Sequence, residues 1–263
     1  MTVFVGIVIY DSRDDLEHCL SGLRAQTYAD IHCVAIDNAS SDDSVPWIRQ
    51  YASDVELIEN GENIGYGRAH NQIIAHCQLG ADDYYLALNP DAELEPNYIE
   101  ALVNTLKQTP DTGWASGKLL MKDDAGTPTG KIYSTGHGLL RSGFAFNIGY
   151  GLPDDVAFLQ SREVFGAPGA AVMYKQALIE DIAQDGQLFD PMMFMYGEDV
   201  DVDWRARRAG WRCWYVANAV AYHRGSWPRA RLQIMGIGNR YLSVIKNADL
   251  VDLLFCSLPY MAA

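Results

Sequence analysis

Four polar clusters in this sequence each follow an apolar run, and in an open parallel sheet ligands collect at such positions, the carboxyl ends of the strands. They are Asp11, Asp37, Asn63 and Asn89-Pro90-Asp91. A carboxylate at Asp37 can accept hydrogen bonds from a nucleobase or a ribose, although residues 37–42 read equally well as a turn and helix N-cap. Asp91 can hold a hard divalent cation whose remaining ligands are diphosphate oxygens and water, as Mg2+ prefers; as a plain polar turn it needs no ligand. A second acidic group, Glu198, Asp199, Asp201 and Asp203, precedes Trp204 and Arg205. The helix macrodipole favours acids in a first turn. That explains one or two of the four, and Asp199 and Asp203 are spaced for one helical face. His223 closes a further apolar run, a place where a lone histidine is more often structural than a ligand. Asn63-Ile64-Gly65-Tyr66-Gly67-Arg68 invites a dinucleotide reading, but His70 stands at the third glycine and the segment follows the third strand instead of the first. NAD is rejected on those grounds.

The elements that must position these residues alternate. Residues 3–10 form a continuous apolar run, as a strand covered on both faces requires. Leu16, Cys19, Leu20 and Leu23 then recur at helical spacing. Strands follow at 31–36, 55–58 and 84–88, with helices over 42–51 and around Ala69, Ile73, Ile74 and Cys77. Pro96 is placed in the first turn of a helix carrying Ile99, Leu102, Val103 and Leu106. This alternation predicts an α/β fold with a mostly parallel central sheet flanked by helices in a single domain. Residues 123–151, rich in glycine, read as a loop or loose hairpin. A strand is expected at 170–174, a short helix at 200–209, a strand or bent pair at 212–216 and 219–222, and a helix at 229–246.

With 263 residues, 49% hydrophobic and 21% charged, the chain has the composition of an ordinary folded protein. Twenty basic against 34 acidic side chains give a net charge of −14, which argues against a nucleic-acid binder. The charge is uneven: residues 204–248 contain no Asp or Glu but nine Arg and Lys. Anionic partners are therefore expected at the C-terminal part. The five cysteines (Cys19, Cys33, Cys77, Cys213, Cys256) form no CxxC pair, which points to free thiols in a reducing cytoplasm. The first strand begins so near Met1 that no leader is expected, and no run of 18 apolar residues suggests a membrane span.

Taken in order, these motifs resemble the inverting, nucleotide-sugar-dependent glycosyltransferases of family 2, which have a GT-A fold, and most closely their rhamnosyltransferase-like members. The resemblance rests on the opening strand with Ile9-Tyr10, on 37–42, 63–67, 88–91, 166–171 and 196–201, and on His223, and it runs from Val3 to about Lys246. It implies a metal-dependent transferase acting in cell-surface polysaccharide synthesis. Asp199 would be the catalytic base. Tyr10, Asp37, Asn63, Gly65, Arg68, Asn89 and Asp91 would bind the nucleotide sugar, with dTDP-rhamnose favoured. Asp91 and His223 would hold a divalent metal, Mg2+ or Mn2+, and Glu198 and Trp204 would lie on the acceptor side. The acceptor would be a glycan or lipid-linked glycan. Two positions depart from the commoner pattern: Asn89 stands where many relatives have an acid, and Asp11 where an asparagine is frequent.

The chemistry is consistent with those positions. A sugar hydroxyl is a poor nucleophile, so a carboxylate must take its proton as the new bond forms, and the leaving diphosphate needs its charge neutralised. Residues 1–228 are expected to form the transferase domain. Residues 229–263 would be a C-terminal helical extension, packed on it or lying at the inner face of an anionic membrane, with 250–261 as an interfacial segment. The opposing expectation is that the arginines pair with the acid-rich remainder. Competing readings are a sugar-1-phosphate nucleotidyltransferase, which would need a basic glycine-rich loop where Asp11-Ser12-Arg13-Asp14-Asp15 stands, and a non-catalytic nucleotide-sugar or glycan-binding domain.

Overall fold

Most apolar runs of the first hundred residues become buried strands, with the short edge strand at 56–59 partly exposed. In the computed structural model, which describes residues 1–140, 142–225 and 230–249, the order is β1 (Val3–Ile9), α1 (Arg13–Arg24), β2 (Ile31–Asp37), α2 (Ser44–Tyr51), β3 (Glu56–Glu59), α3 (Tyr66–Cys77), β4 (Tyr84–Leu88), β5 (Ala92–Leu94) and α4 (Tyr98–Gln108). It continues through β6 (Thr112–Lys122), β7 (Pro128–Ser134), β8 (His137–Leu139), β9 (Ala145–Asn147), β10 (Arg162–Val164), β11 (Ala171–Lys175), α5 (Gln176–Ile182), α6 (Glu198–Arg208), β12 (Arg212–His223) and α7 (Ala230–Asn247). Leu16 and Leu20 of α1 and Ile99 and Leu102 of α4 pack on one face of the sheet. Ala69 and Ile73 of α3, Leu178 of α5 and Val202 of α6 pack on the other. Each fully buried Leu or Ile among them contributes about 1.5–3 kcal/mol.

The main sheet runs β10-β12-β6-β11-β4-β1-β2-β3, with β5 on β12 and β7 on β6. β1 pairs in parallel with β2 and β4, and β2 with β3, as the alternation predicts. The second half is mixed. β11 lies antiparallel between β4 and β6 because it starts at the carboxyl end of β4, with Ala171 opposite Leu88, and runs away from that edge. Register also aligns the ends that matter: Ile9 lies opposite Asp37, and Ile7 opposite Leu88. The residues after β1, β2 and β4 therefore share one edge.

Several expectations are refined. The glycine-rich segment is a β6–β7 hairpin followed by the small β8–β9 sheet. Pro96 precedes α4 instead of sitting in its first turn: Asn97 is the N-cap, with non-helical backbone. The expected bent pair at 212–222 is one strand, β12, with a register shift against β6 between Val216 and Val220. Gly117 accommodates that irregularity, since a Cβ there would lie 2.1 Å from the Ala219 carbonyl oxygen and 2.4 Å from Tyr98.

α7 continues through Gly236 and Gly238 and packs on α6. Asp201 of α6 joins the two helices, accepting from Arg205 (2.8 Å), Lys246 (3.0 Å) and Asn247 (2.8 Å). The expected division at 228/229 falls on residues 226–229, and the segment 250–261 likewise lies outside the described residues. Cys19, Cys33 and Cys213 are buried free thiols and Cys77 a half-buried one. Among the described residues no helix is long and apolar enough to cross a membrane.

Candidate active site

The aligned strand ends open on a cleft of about 350 Å3, within the range of small-ligand sites. Tyr10 and Ser12 reach it from the end of β1, Asn38 from β2, Asn63 and Tyr66 from the start of α3, and Asn89, Pro90 and Asp91 from the end of β4. Its far wall comes from the second half of the chain: Tyr133, the 168–170 turn, Met195, Tyr196, Glu198 and Asp199, and then His223, the last residue of β12, and Arg224. α7 holds part of that wall, because Asn239 Nδ2 donates to the carbonyls of Met195 (3.1 Å) and Tyr196 (2.8 Å). Asp11, Ala39 and Tyr196, at or beside the cleft, have positive φ angles of 49°, 63° and 67°. Non-glycine strain of this kind clusters at functional sites.

At the centre, Asp91 and His223 meet, with Oδ1 to Nε2 at 3.1 Å, and Asn89 Nδ2 lies 3.3 Å from the same ring nitrogen. Burial pushes the Asp91 carboxyl up, but the adjoining His223 and Arg224 outweigh it and hold it below the usual range. Tyr133 stacks edge-on against His223, with ring centroids 4.5 Å apart. Arg224 pairs with Asp15 at 2.6 Å beside this group. Among the described residues no three His, Cys, Asp or Glu side chains converge on a point that would hold a metal. One carboxylate and one imidazole do meet here, and His223 Nδ1 is buried without a partner. That donor set suits a divalent ion only if diphosphate and water supply the rest of its shell.

The acidic start of α6 divides in two. Asp201 and Asp203 are fully buried and bonded inward, whereas Glu198 and Asp199 line the cleft. Asp199 is oriented by two backbone donors: Gly169 N–H to Oδ2 at 3.0 Å and Val200 N–H to Oδ1 at 2.8 Å. Burial, and next the Asp199 charge, raise the Glu198 carboxyl to about 8. The raised Glu198 favours its protonated form, and the two neighbouring carboxyls differ in environment: Glu198 is buried, while Asp199 is oriented by backbone N–H donors.

The structure brings together Tyr10, Asn63, Asn89, Asp91, Glu198, Asp199 and His223. Four other predicted residues stand outside the cleft lining. Trp204 is buried, edge-on to Phe165 at 6.4 Å, because its place on α6 turns it into the fold. Arg68 points outward and donates to the Pro191 carbonyl at 2.8 Å. Gly65 caps α3 with φ 88°, pressed so closely on Phe194 that a Cβ would lie 2.4 Å from its carbonyl oxygen. Asp37 is buried beside the cleft; Oδ2 accepts from Ser40 N–H at 3.0 Å and Oδ1 has no partner. His70 is a core residue, 2.5 Å from the Tyr85 hydroxyl, and burial lowers its pKa to about 3. Tyr133 and Tyr66 are site residues that sequence reasoning did not single out. Arg224 was visible only as one of the nine basic residues.

Residues 4–182 match the Glycosyl transferase family 2. The chain belongs to that family. This glycosyltransferase is 30% identical over 242 residues, 85% of the chain and 76% of the relative, to an N-acetylglucosaminyl-diphospho-decaprenol L-rhamnosyltransferase of Mycobacterium tuberculosis, found in strains CDC 1551 / Oshkosh and H37Rv. Solved structures share its GT-A fold. GalNAc-T7 with UDP, GalNAc and Mn2+ superposes with a TM-score of 0.71 at 14% identity, over 92% of this chain and 48% of that one. S. aureus TarS 1-349 in complex with UDP superposes at 0.62 and 16%, over 97% and 68%. Family membership leaves no place for the nucleotidyltransferase reading.

Proposed function

We propose that this glycosyltransferase moves L-rhamnose from dTDP-rhamnose, with inversion, to a hydroxyl of a lipid-linked glycan in cell-surface polysaccharide synthesis. The observation that supports the transfer chemistry is one cleft holding the Asp91–His223 contact and an oriented carboxylate, Asp199. The rhamnose and lipid-linked acceptor are supported by the mycobacterial relative's name. Tyr10 offers a half-exposed ring for the base, and the unpartnered Asp37 Oδ1 suits a base N–H beside it. A divalent metal, Mg2+ or Mn2+, held by Asp91 and His223 would neutralise the leaving diphosphate. Arg224 adds a fixed positive charge on the same side. Asp199 takes the acceptor proton while Glu198 donates a hydrogen bond. A thermal-shift screen of nucleoside diphosphates and their sugars with either metal is expected to single out the deoxythymidine series. Preference for uridine or guanosine donors would overturn the donor assignment.

A lipid-linked acceptor puts the site of action at the cytoplasmic face of a membrane, and the C-terminal extension, 229–263, is the proposed contact. The basic stretch is mostly committed within the fold: Arg205 to Asp201, Arg207 and Arg212 to Glu163, Arg224 to Asp15, and Lys246 to Asp190 and Asp201. Arg208 and Arg240 donate to carbonyls. Paired charges attract anionic lipid weakly, so the contact falls to the exposed apolar stripe of α7, Ile234, Ile237, Tyr241 and Ile245. Sedimentation with neutral as well as anionic vesicles, with little dependence on salt, is the expected result. No binding to either kind would remove the membrane contact.

A further inference from the structure

Behind the cleft wall, against Asp199, lies a second histidine that the transfer chemistry above does not use. His137, the first residue of β8, is only 6% exposed. Its Nδ1 lies 2.7 Å from Asp203 Oδ2, and its Nε2 faces Asp199 Oδ2 at 3.9 Å. Asp203 is fully buried, and its other oxygen accepts from Trp114 Nε1 at 2.8 Å and Ala167 N–H at 3.1 Å. The loop before β11 is built around this pair. Gly166 accepts the His137 backbone N–H at 2.7 Å, and a Cβ on Gly166 would fall 1.9 Å from Asp203 Oδ2. Three residues on, Gly169 donates to Asp199.

A buried His–Asp pair is a weak source of stability, since well-packed apolar residues often do as well or better. Its geometry points instead at Asp199. Burial alone pushes the His137 pKa down, but the hydrogen bond its ring N–H donates to Asp203 and the charges of Asp199 and Asp203 outweigh it and leave it raised. Burial pushes Asp203 up in turn. The raised His137 favours the imidazolium, whose Nδ1–H donates to Asp203 and whose Nε2–H is directed at Asp199. With Nδ1 committed to Asp203, the ring's orientation is fixed and Nε2 is aimed at Asp199. Tyr174 of β11 and Cys213 of β12, which also face Asp203, are pushed up by burial and stay neutral. Among the described residues His137 is the basic side chain paired with Asp199 within 4.0 Å.

We propose that His137, held by Asp203, is a positioning residue for Asp199, fixing the carboxylate opposite the Gly169 N–H so that its free lone pairs face the acceptor hydroxyl. This rests on the reading of Asp199 as the base. The test compares kcat, KM for donor, donor affinity and melting temperature in H137N, H137Q, D203N and D199N, using the donor selected by the screen. An Asn amide at 137 reaches Asp203 but not Asp199, whereas a Gln amide reaches the Nε2 position. H137N is expected to lower kcat about 10- to 100-fold with donor affinity and melting temperature kept, and H137Q to recover most of it. D203N keeps the side-chain volume and an acceptor for Trp114, and is expected to lower kcat at unchanged KM. Full kcat in H137N or D203N would overturn the proposal, as would rescue by Asn in preference to Gln, the pattern of a purely structural pair. D199N separates the two readings. If it still transfers sugar, the base assignment is wrong; if it is inactive while H137N and D203N are fully active, only the positioning role is.

Discussion

Asp199→Asn is expected to lower sugar transfer by about 10²-fold or more while leaving donor binding nearly intact. The amide keeps the size of the side chain and an oxygen for the Gly169 or Val200 N–H, both of which now bond the carboxylate, so the wall of the cleft should stand. What is lost is the capacity to accept a proton. Glu198 is a poor replacement, because burial, the larger cause that raises its own carboxyl, remains in the variant. Turnover by nucleoside diphosphate release and donor affinity by calorimetry check the two halves of the statement. Full activity in this variant would end the assignment of Asp199.

The second large effect is expected from the diphosphate side. Chelation of divalent metal, or Asp91→Asn, should lower transfer by about 10²-fold or more, because neutralising the leaving group is worth several kcal/mol in the transition state. Among the described residues Asp91 is the carboxylate in direct contact with His223, and Asn89 can add only a neutral oxygen. Substitution also alters the contact with His223, so donor affinity must be titrated with and without Mg2+ and Mn2+ in both proteins. The wild-type protein should show metal-dependent affinity and the variant none. If chelator leaves wild-type affinity and turnover unchanged, basic residues carry the diphosphate, with Arg224 the first to test.

The N-terminal half of this fold is legible because most of its strands are buried on both faces and so read as unbroken apolar runs: residues 84–88 are β4 in sequence and in structure. The polar residues that end those strands follow by geometry, and Asn63, Asn89 and Asp91 reach the cleft as expected. The second half is harder for physical reasons. β11 runs antiparallel, which composition does not reveal. In the acidic start of α6, spacing alone cannot say which carboxylates face inward; Asp201 and Asp203 do, Glu198 and Asp199 do not. Trp204, which the resemblance puts on the acceptor side, is turned into the fold by its place on α6 and packs edge-on to Phe165. His137 has no local pattern at all, lying among glycines, and its meaning comes from Asp203, 66 positions away.

The central claim is a single displacement assisted by one base, and the anomeric configuration of the product tests it most directly. NMR of the glycoside formed from a donor of known configuration should show complete inversion at the anomeric carbon, with one nucleoside diphosphate released per bond made. A product that retains the donor configuration would contradict the account, because it would require a nucleophile or a face of attack that Asp199 as sole base does not provide.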